Sequence, residues 1–271
     1  MRPMRLDQAV AAHFPGVSRR KARELLAQHR VLVNDRPVSV ASRLVTADDR
    51  LTIVDELPPV GVIRMTDGWI AINKPAGVPS QPVRGRDRRS VEELLQVQLK
   101  REGLAADLFV VHRIDQPTSG VLLFARTRAE AGRLSELFAS GAISKQYVAV
   151  VNGRLAGALS VDTAIERTAT NRFDVGQAGK AAQTIVRPIA TSEQATLVEV
   201  EITTGRTHQI RVHLSSIGHG ILGDRKYGSS GSGASRLMLH ARMLEHASIG
   251  QVSADLPEDF RKVCEQLGLG T

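Results

Sequence analysis

The 271-residue chain has a single cysteine, Cys264. That leaves no partner for an internal disulfide and no set of thiolates for a structural zinc, and it suits a reducing compartment. No stretch approaches the ~18 apolar residues of a membrane span. The opening residues, MRPMRLDQAVAAHF, lack the apolar core of a secretory signal, so a cytoplasmic protein without a membrane partner is expected. No glycine-rich segment has the spacing of a phosphate-binding loop or a dinucleotide fingerprint, and no nucleotide cofactor is expected. Histidines are present at 112, 208, 213, 219 and 240, but none has the His-Glu-x-x-His spacing of a zinc helix. His208 and His213 are five apart, a poor match to one helical face, so no metal is expected. Thr118-Ser119-Gly120 lacks the nucleophile-elbow pattern of a serine hydrolase. No internal repeat stands out.

What the chain does have is positive charge. Lys and Arg number 36 against 28 Asp and Glu, a net +8, with a pI near 10.2. That balance favours a polyanionic partner, nucleic acid foremost. The charge is concentrated early. Residues 18–30 carry five cations against one acid, Glu24.

Hydrophobic spacing divides the chain in two. Leu6, Val10 and Phe14 recur at helical intervals up to Pro15-Gly16. Ser18 is a good N-cap for a second helix that turns Ala22, Leu25 and Leu26 inward and leaves Arg19, Arg20, Lys21 and Arg23 outside. VLVNDRPV reads as two short strands about Asn34-Asp35, and RLTIV (50–54) as another. Pro58-Pro59 and Gly61 then make a stiff connector, which sets the expected division at 1–57 and 58–271.

The larger part mixes strands and helices, an α+β pattern. WIAIN (69–73), YVAVVNG (147–153) and the alternating LVEVEI (197–202) read as strands. Capping boxes at Ser90/Glu93 and Thr127/Glu130 open two helices. Arg84, Arg86, Arg88 and Arg89 form a basic loop, and GSSGSGAS (228–235) is low in complexity.

One segment combines these features with chemistry: residues 109–126, FVVHRIDQPTSGVLLFAR. Asp115 falls where a buried run gives way to a turn. A carboxylate there is partly desolvated and needs a cation or donors to stay ionised. By physics alone it is either a turn-capping Asp bonded to Thr118 and Ser119 or a functional acid.

HRIDQPTSG resembles the signature of the RluA-type family of RNA pseudouridine synthases, His-Arg-Leu-Asp-x-x-Thr-Ser-Gly, with Ile114 as a volume-conserving replacement for Leu. Further blocks follow in the family's order: NKPAGV (73–78), KQYVAVVNG (145–153), TGRTHQIRVHLSSIGHGILGD (204–224) and LMLHARML (237–244). The match spans about 62–246. RLDQAV…SRRKARELL…VLVND resembles the small RNA-binding S4 domain, over about 5–54.

The resemblance implies a mixed, largely antiparallel catalytic sheet preceded by a small α/β S4-like domain. The activity it implies is isomerisation of specific uridines to pseudouridine in RNA, needing no cofactor. Large-subunit ribosomal RNA is the favoured substrate, transfer RNA the alternative. A non-catalytic RNA-binding factor on the same fold, or a metal-dependent hydrolase using the histidines, are readings of other classes. Asp115 would be the essential carboxylate, Arg211 the arginine paired with it, and Tyr147 the tyrosine packed on uracil. Lys74 and Leu222 would line the pocket. Arg113 suits displacement of the base, since a guanidinium can stack on bases and hold phosphate. His208 would orient the segment Arg206–Arg211 or lie at the surface. Arg19, Arg20, Lys21 and Arg23 would contact RNA phosphates. A monomer is expected.

Overall fold

The computed structural model describes residues 3–270 except 28–29, 35, 39, 55–58, 83–89, 105–106, 170–171 and 229–233. The arginine-rich loop 84–89, Pro58 of the connector, Asp35 of the Asn34-Asp35 turn and most of GSSGSGAS lie outside the described residues. The chain forms two compact units, and neither is continuous. One comprises Met1–Val60 and Gly77–Ala106, the other Gly61–Ala76 and Asp107–Thr271. The expected division at residues 57/58 therefore differs in two respects: the first segment runs to Val60, and Gly77–Ala106 groups with the N-terminal residues. Gln98 shows why, since its side chain accepts from Val60 N–H at 2.7 Å and ties the helix that carries it to the end of the N-terminal segment.

In the first unit, β1 (Met4–Arg5) leads into α1 (Leu6–His13), and α2 (Arg19–Ala27) packs against it. Ser18 caps α2 by accepting Lys21 N–H, as the sequence indicates. Ala22, Leu25 and Leu26 are buried with Leu6 and Val10 in a core completed by Val31, Val33 and Val45. The strands β2 (Val31–Val33), β3 (Arg36–Pro37) and β5 (Leu51–Ile53) form a three-stranded antiparallel sheet, while β4 (Leu44–Val45) pairs with β1. α3 (Val91–Arg101) opens with the complete Ser90/Glu93 capping box.

The second unit is built on a ten-stranded sheet. Its strands are β6 (Gly61–Met65), β7 (Trp69–Lys74), β8 (Phe109–Val110), β9 (Ser119–Ala125), β10 (Ser144–Asn152), β11 (Leu159–Val161), β14 (Thr184–Thr191), β15 (Ala195–Ile202), β16 (Leu239–His246) and β17 (Gly250–Ser253). Their order is β11-β14-β15-β10-β16-β9-β7-β6, with β17 on β16 and β8 on β9. A separate hairpin joins β12 (Ile165–Ala169) to β13 (Arg172–Val175). The helices are α4 (Arg128–Ala139), α5 (Gln209–Ser216) and α6 (Glu258–Gln266). Thr127 caps α4, but Glu130 turns to Arg133 rather than back to the cap, so only half of the expected box forms.

Every pairing in the sheet is antiparallel except β9 with β16. That parallel contact is short, His240 facing Ser119 and Ala241 facing Gly120. It explains the glycine of the Thr-Ser-Gly run. Gly120 has φ +113°, and a β-carbon there would stand 2.1 Å from the Ala241 carbonyl oxygen. The central strands read as apolar runs because their side chains are buried: every residue of β9 is, and so are Val148–Val151 of β10. The mixed, largely antiparallel architecture expected from the motifs is the one observed.

Candidate active site

The segment before β9 carries His112 to Thr118 to the edge of an open cleft. Arg113, Asp115, Thr118, Tyr147, His208 and Arg211 all line it. Two buried contacts fix this segment. His112 Nε2 accepts Leu123 N–H at 2.9 Å, and its ring stacks on Phe138. Ser119 Oγ lies 2.9 Å from Nδ1 of the fully buried His240, whose Nε2 donates to the Ala254 carbonyl. A neutral imidazole donating from Nε2 accepts at Nδ1, so Ser119 donates. Burial holds the His240 pKa down to about 4.

Asp115 does not cap its own turn. Its carboxylate accepts from Arg211 Nη1 at 2.9 Å. Ser119 is committed to His240, and the buried Thr118 hydroxyl has no partner among the described residues. Asp115 is half-buried and faces the cleft, so the turn-capping alternative gives way to an ion pair.

Arg211 is held from behind. Nε and Nη2 donate to the two oxygens of Asp224 at 2.7 and 2.8 Å, and Asp224 is 1% exposed. Burial alone would push the guanidinium toward neutrality, but the two carboxylates more than offset that and drive its pKa up. Burial likewise raises the Asp224 carboxyl, and Arg211 with the Lys226 and Tyr227 backbone N–H groups reverses the sign, so its pKa is lowered. The Tyr227 ring lies under the guanidinium at 5.0 Å.

α5 presents Arg211 because Gln209, buried, ties down the loop before it. Its carbonyl oxygen accepts from Thr204 and from Arg206 N–H, and its amide donates to Gln183 and Thr184. The orienting role expected of His208 belongs to this neighbour. His208 instead adopts φ +59° at the helix N-cap, a left-handed conformation rare outside glycine. Its Nε2 stands 3.8 Å from Asp115 and its Nδ1 2.8 Å from the Tyr227 hydroxyl. Tyr227 already accepts Phe173 N–H. We assign its proton to His208 Nδ1, which puts the ring hydrogen on Nε2, facing Asp115.

Tyr147 comes from β10 at an irregularity. Gln146 pairs with Met243 and Tyr147 with Ala241, so Arg242 is the extra residue of a bulge. Bulges re-aim side chains, and this one lies beside the cleft. Burial and the Asp115 charge raise the pKa of the phenol, which is therefore protonated near neutral pH. Arg113 is exposed and has no partner among the described residues.

Two expected pocket residues lie elsewhere. Lys74, fully buried, donates to the carbonyls of Pro75 and Gln116, bracing the turn beside Asp115 rather than lining the cleft. Leu222 is 4% exposed and packs in the core beneath. Asp224 and Tyr227 were missed by the sequence reading. A signal was present, since a buried arginine needs an anion and Asp224 is the lone acid closing the Gly-Ile-Leu-Gly run. Among the described residues no three His, Cys, Asp or Glu side chains converge as a metal site, and no helix is long and apolar enough to cross a membrane.

A half-buried carboxylate, a guanidinium held between it and Asp224, and a tyrosine at a sheet bulge meet at one cleft of a mixed sheet. Residues 68–216 match the RNA pseudouridylate synthase family, and residues 4–51 match the S4 domain. A ribosomal large subunit pseudouridine synthase D from Zymomonas mobilis is 32% identical, with 97% of this chain and 93% of that protein aligned. A tRNA pseudouridine synthase C from Haemophilus ducreyi is 34% identical over 76% of this chain and 95% of its own. Among solved structures, human RNA pseudouridylate synthase domain containing 4 superposes with a TM-score of 0.67 at 25% identity, covering 78% of this chain and 94% of its own. The chain belongs to the RNA pseudouridylate synthase family. It is an RNA pseudouridine synthase with an N-terminal S4 domain.

Proposed function

We propose that the chain isomerises specific uridines of large-subunit ribosomal RNA, with Asp115 as the reacting carboxylate. The observation that carries the reading is the Asp115–Arg211–Asp224 chain of ion pairs, which holds one carboxylate oxygen against a fixed cation at the cleft. The reaction conserves composition. The bond from N1 to C1′ breaks, C5 bonds to C1′, and the proton lost from C5 is matched by one gained at N1. A single carboxylate suffices because the detached base, rather than water, returns as nucleophile. Asp115 acts at C1′ or C2′, as nucleophile or as base, with one carboxylate oxygen held by Arg211 Nη1. Tyr147, protonated, packs on the uracil. Arg113, exposed and unpartnered among the described residues, fills the stack when the uridine is extruded.

The choice of RNA rests on the alignment to the ribosomal enzymes, which takes in 97% of the chain and so includes the S4 segment. Mapping pseudouridines in ribosomal and transfer RNA from cells with and without the gene tests it. Sites lost from large-subunit RNA alone support the proposal. Sites lost from transfer RNA alone overturn the substrate, and no loss, with no tritium release from 5-tritiated uridine RNA in vitro, overturns the activity in favour of a binding factor.

A further inference from the structure

Breaking the bond from C1′ to N1 makes a demand that Asp115, Arg211 and Tyr147 leave unmet. The electron pair goes with the uracil, and the negative charge that develops spreads over N1 and the two ring carbonyl oxygens. In a cleft such charge is best held by a hydrogen-bond donor already aimed at it. The Asp115 carboxylate, paired with Arg211, only accepts. Arg211 commits all three of its nitrogens, Nε and Nη2 to Asp224 and Nη1 to Asp115. Tyr147 meets the uracil through its ring.

His208 offers the missing donor. It lines the same cleft, and the Tyr227 hydroxyl occupies its Nδ1 at 2.8 Å, which leaves the ring hydrogen on Nε2. Among the described residues Nε2 has no acceptor within hydrogen-bonding distance. An Asp115 oxygen stands 3.8 Å away. That gap is too wide for a hydrogen bond, yet an atom next to the sugar carbon that Asp115 works on falls within reach of both groups. The ring is held rigidly. Phe173 and Tyr227 meet it edge-on at 5.6 and 5.4 Å, and Phe173 N–H fixes the Tyr227 hydroxyl at 3.1 Å. The backbone φ of +59° is a strained conformation of the kind that gathers at functional sites. Burial lowers the His208 pKa against the pull of the Asp115 charge, so the ring is neutral near pH 7. It therefore adds no second cation to compete with Arg211 for Asp115.

We propose that His208 is a further catalytic residue, its Nε2–H donating to the O2 carbonyl of the target uracil as the base leaves C1′. The role rests on the reading of this chain as a uridine isomerase with Asp115 at the sugar. O2 is the acceptor because it flanks the breaking bond, two bonds from N1, whereas O4 lies across the ring. His208 transfers no proton. The electron pair of the broken bond passes to the uracil, a pair from the ring forms the new bond from C5 to C1′, and the proton lost from C5 is matched by the one gained at N1. His208 keeps its hydrogen throughout and lowers the energy of the charged base between the two bonds. Tyr227 touches no substrate and is a positioning residue, fixing the tautomer that puts the hydrogen on Nε2.

Asparagine is the informative replacement. It tolerates the left-handed backbone, its Oδ1 can accept the Tyr227 hydroxyl in place of Nδ1, and it puts nothing at the position of Nε2. The experiment measures single-turnover tritium release by the full-length chain. Its substrate is an RNA fragment carrying the mapped target as 5-tritiated uridine or as 5-tritiated 2-thiouridine, in which sulfur, a weak acceptor, replaces O2. On uridine, His208→Asn should slow conversion at least about tenfold while RNA affinity stays within about twofold of wild type, because the hydrogen bond strengthens only as charge develops. On 2-thiouridine the variant and the wild type should differ by no more than about twofold, since the contact is already lost. An equal loss on both bases assigns His208 to the support of Asp115 and overturns the role, as does an unchanged rate on uridine. Should His208→Asn not fold, His208→Gly, which the positive φ favours, takes its place in the same comparison. A wild type with no mapped target in ribosomal or transfer RNA and no tritium release overturns the underlying reading, and this role with it.

Discussion

Asp224 grips Arg211 through two hydrogen bonds of 2.7 and 2.8 Å, entirely out of solvent, and leaves one guanidinium edge free to meet Asp115. The pair is intramolecular scaffolding aimed at a reacting group. Removing one member of a buried pair costs roughly 3–5 kcal/mol where the other charge is left unpaired, and less here because Arg211 keeps Asp115. Asp224→Ala should lower the denaturation midpoint correspondingly and reduce turnover although Asp115 is intact. A variant with wild-type turnover would show that the grip is not needed for activity.

Asp115→Asn keeps shape and removes charge. The side chain is only half-buried, and Arg211 retains Asp224, so the fold should hold. Turnover in tritium release should fall by a factor of at least about 10². A fall of less than tenfold would remove Asp115 from the chemistry.

Arg113→Ala removes the exposed cation of the cleft, which is unpartnered among the described residues. Turnover on structured RNA should drop more than turnover on an unpaired or bulged target, where the base is already unstacked. Equal losses on both would count against displacement of the base.

Tyr227→Phe deletes the hydroxyl that bridges Phe173 N–H and His208 Nδ1. The His208 ring, held in an unusual backbone conformation, should lose its fixed tautomer, and turnover should fall about tenfold or less while stability changes by about 1 kcal/mol. Matching kinetics in the variant and the wild type would show that this bridge does not act on Asp115.

His240 supplies a pH prediction. Its folded-state pKa, about 4, lies below the unfolded value of 6.5. Between those values the unfolded chain binds the extra proton, so stability is full above about 6.5 and declines as pH falls toward 4. Denaturant midpoints should drop between pH 6.5 and 5, above the range where ordinary carboxylates titrate. A flat profile across that window would show that protonated His240 is tolerated in place.

Local signals carried much of the molecule. Helical spacing and a capping serine marked α2, the Ser90/Glu93 box opened α3, and alternation marked β15, because caps and apolar periodicity act within a few residues. The order of the motifs indicated the family, and with it Asp115, Tyr147 and Arg211. Local pattern did not place Lys74 beneath the turn, transfer the orienting task from His208 to Gln209, or divide α2 into Arg19 and Arg23, which Asp7 holds, and Arg20 and Lys21, which stand by Glu24. It also did not join Gly77–Ala106 to the N-terminal unit. Each of these turns on which distant segments meet. Arg211 and Asp115 are 96 residues apart and Arg23 and Asp7 are 16 apart, and a charge finds its counter-ion through the packing of strands and helices. Residue identity and motif order limit which groups can perform the chemistry. Packing selects which carboxylate each cation serves, because burial makes an unpaired charge too costly to leave without its partner.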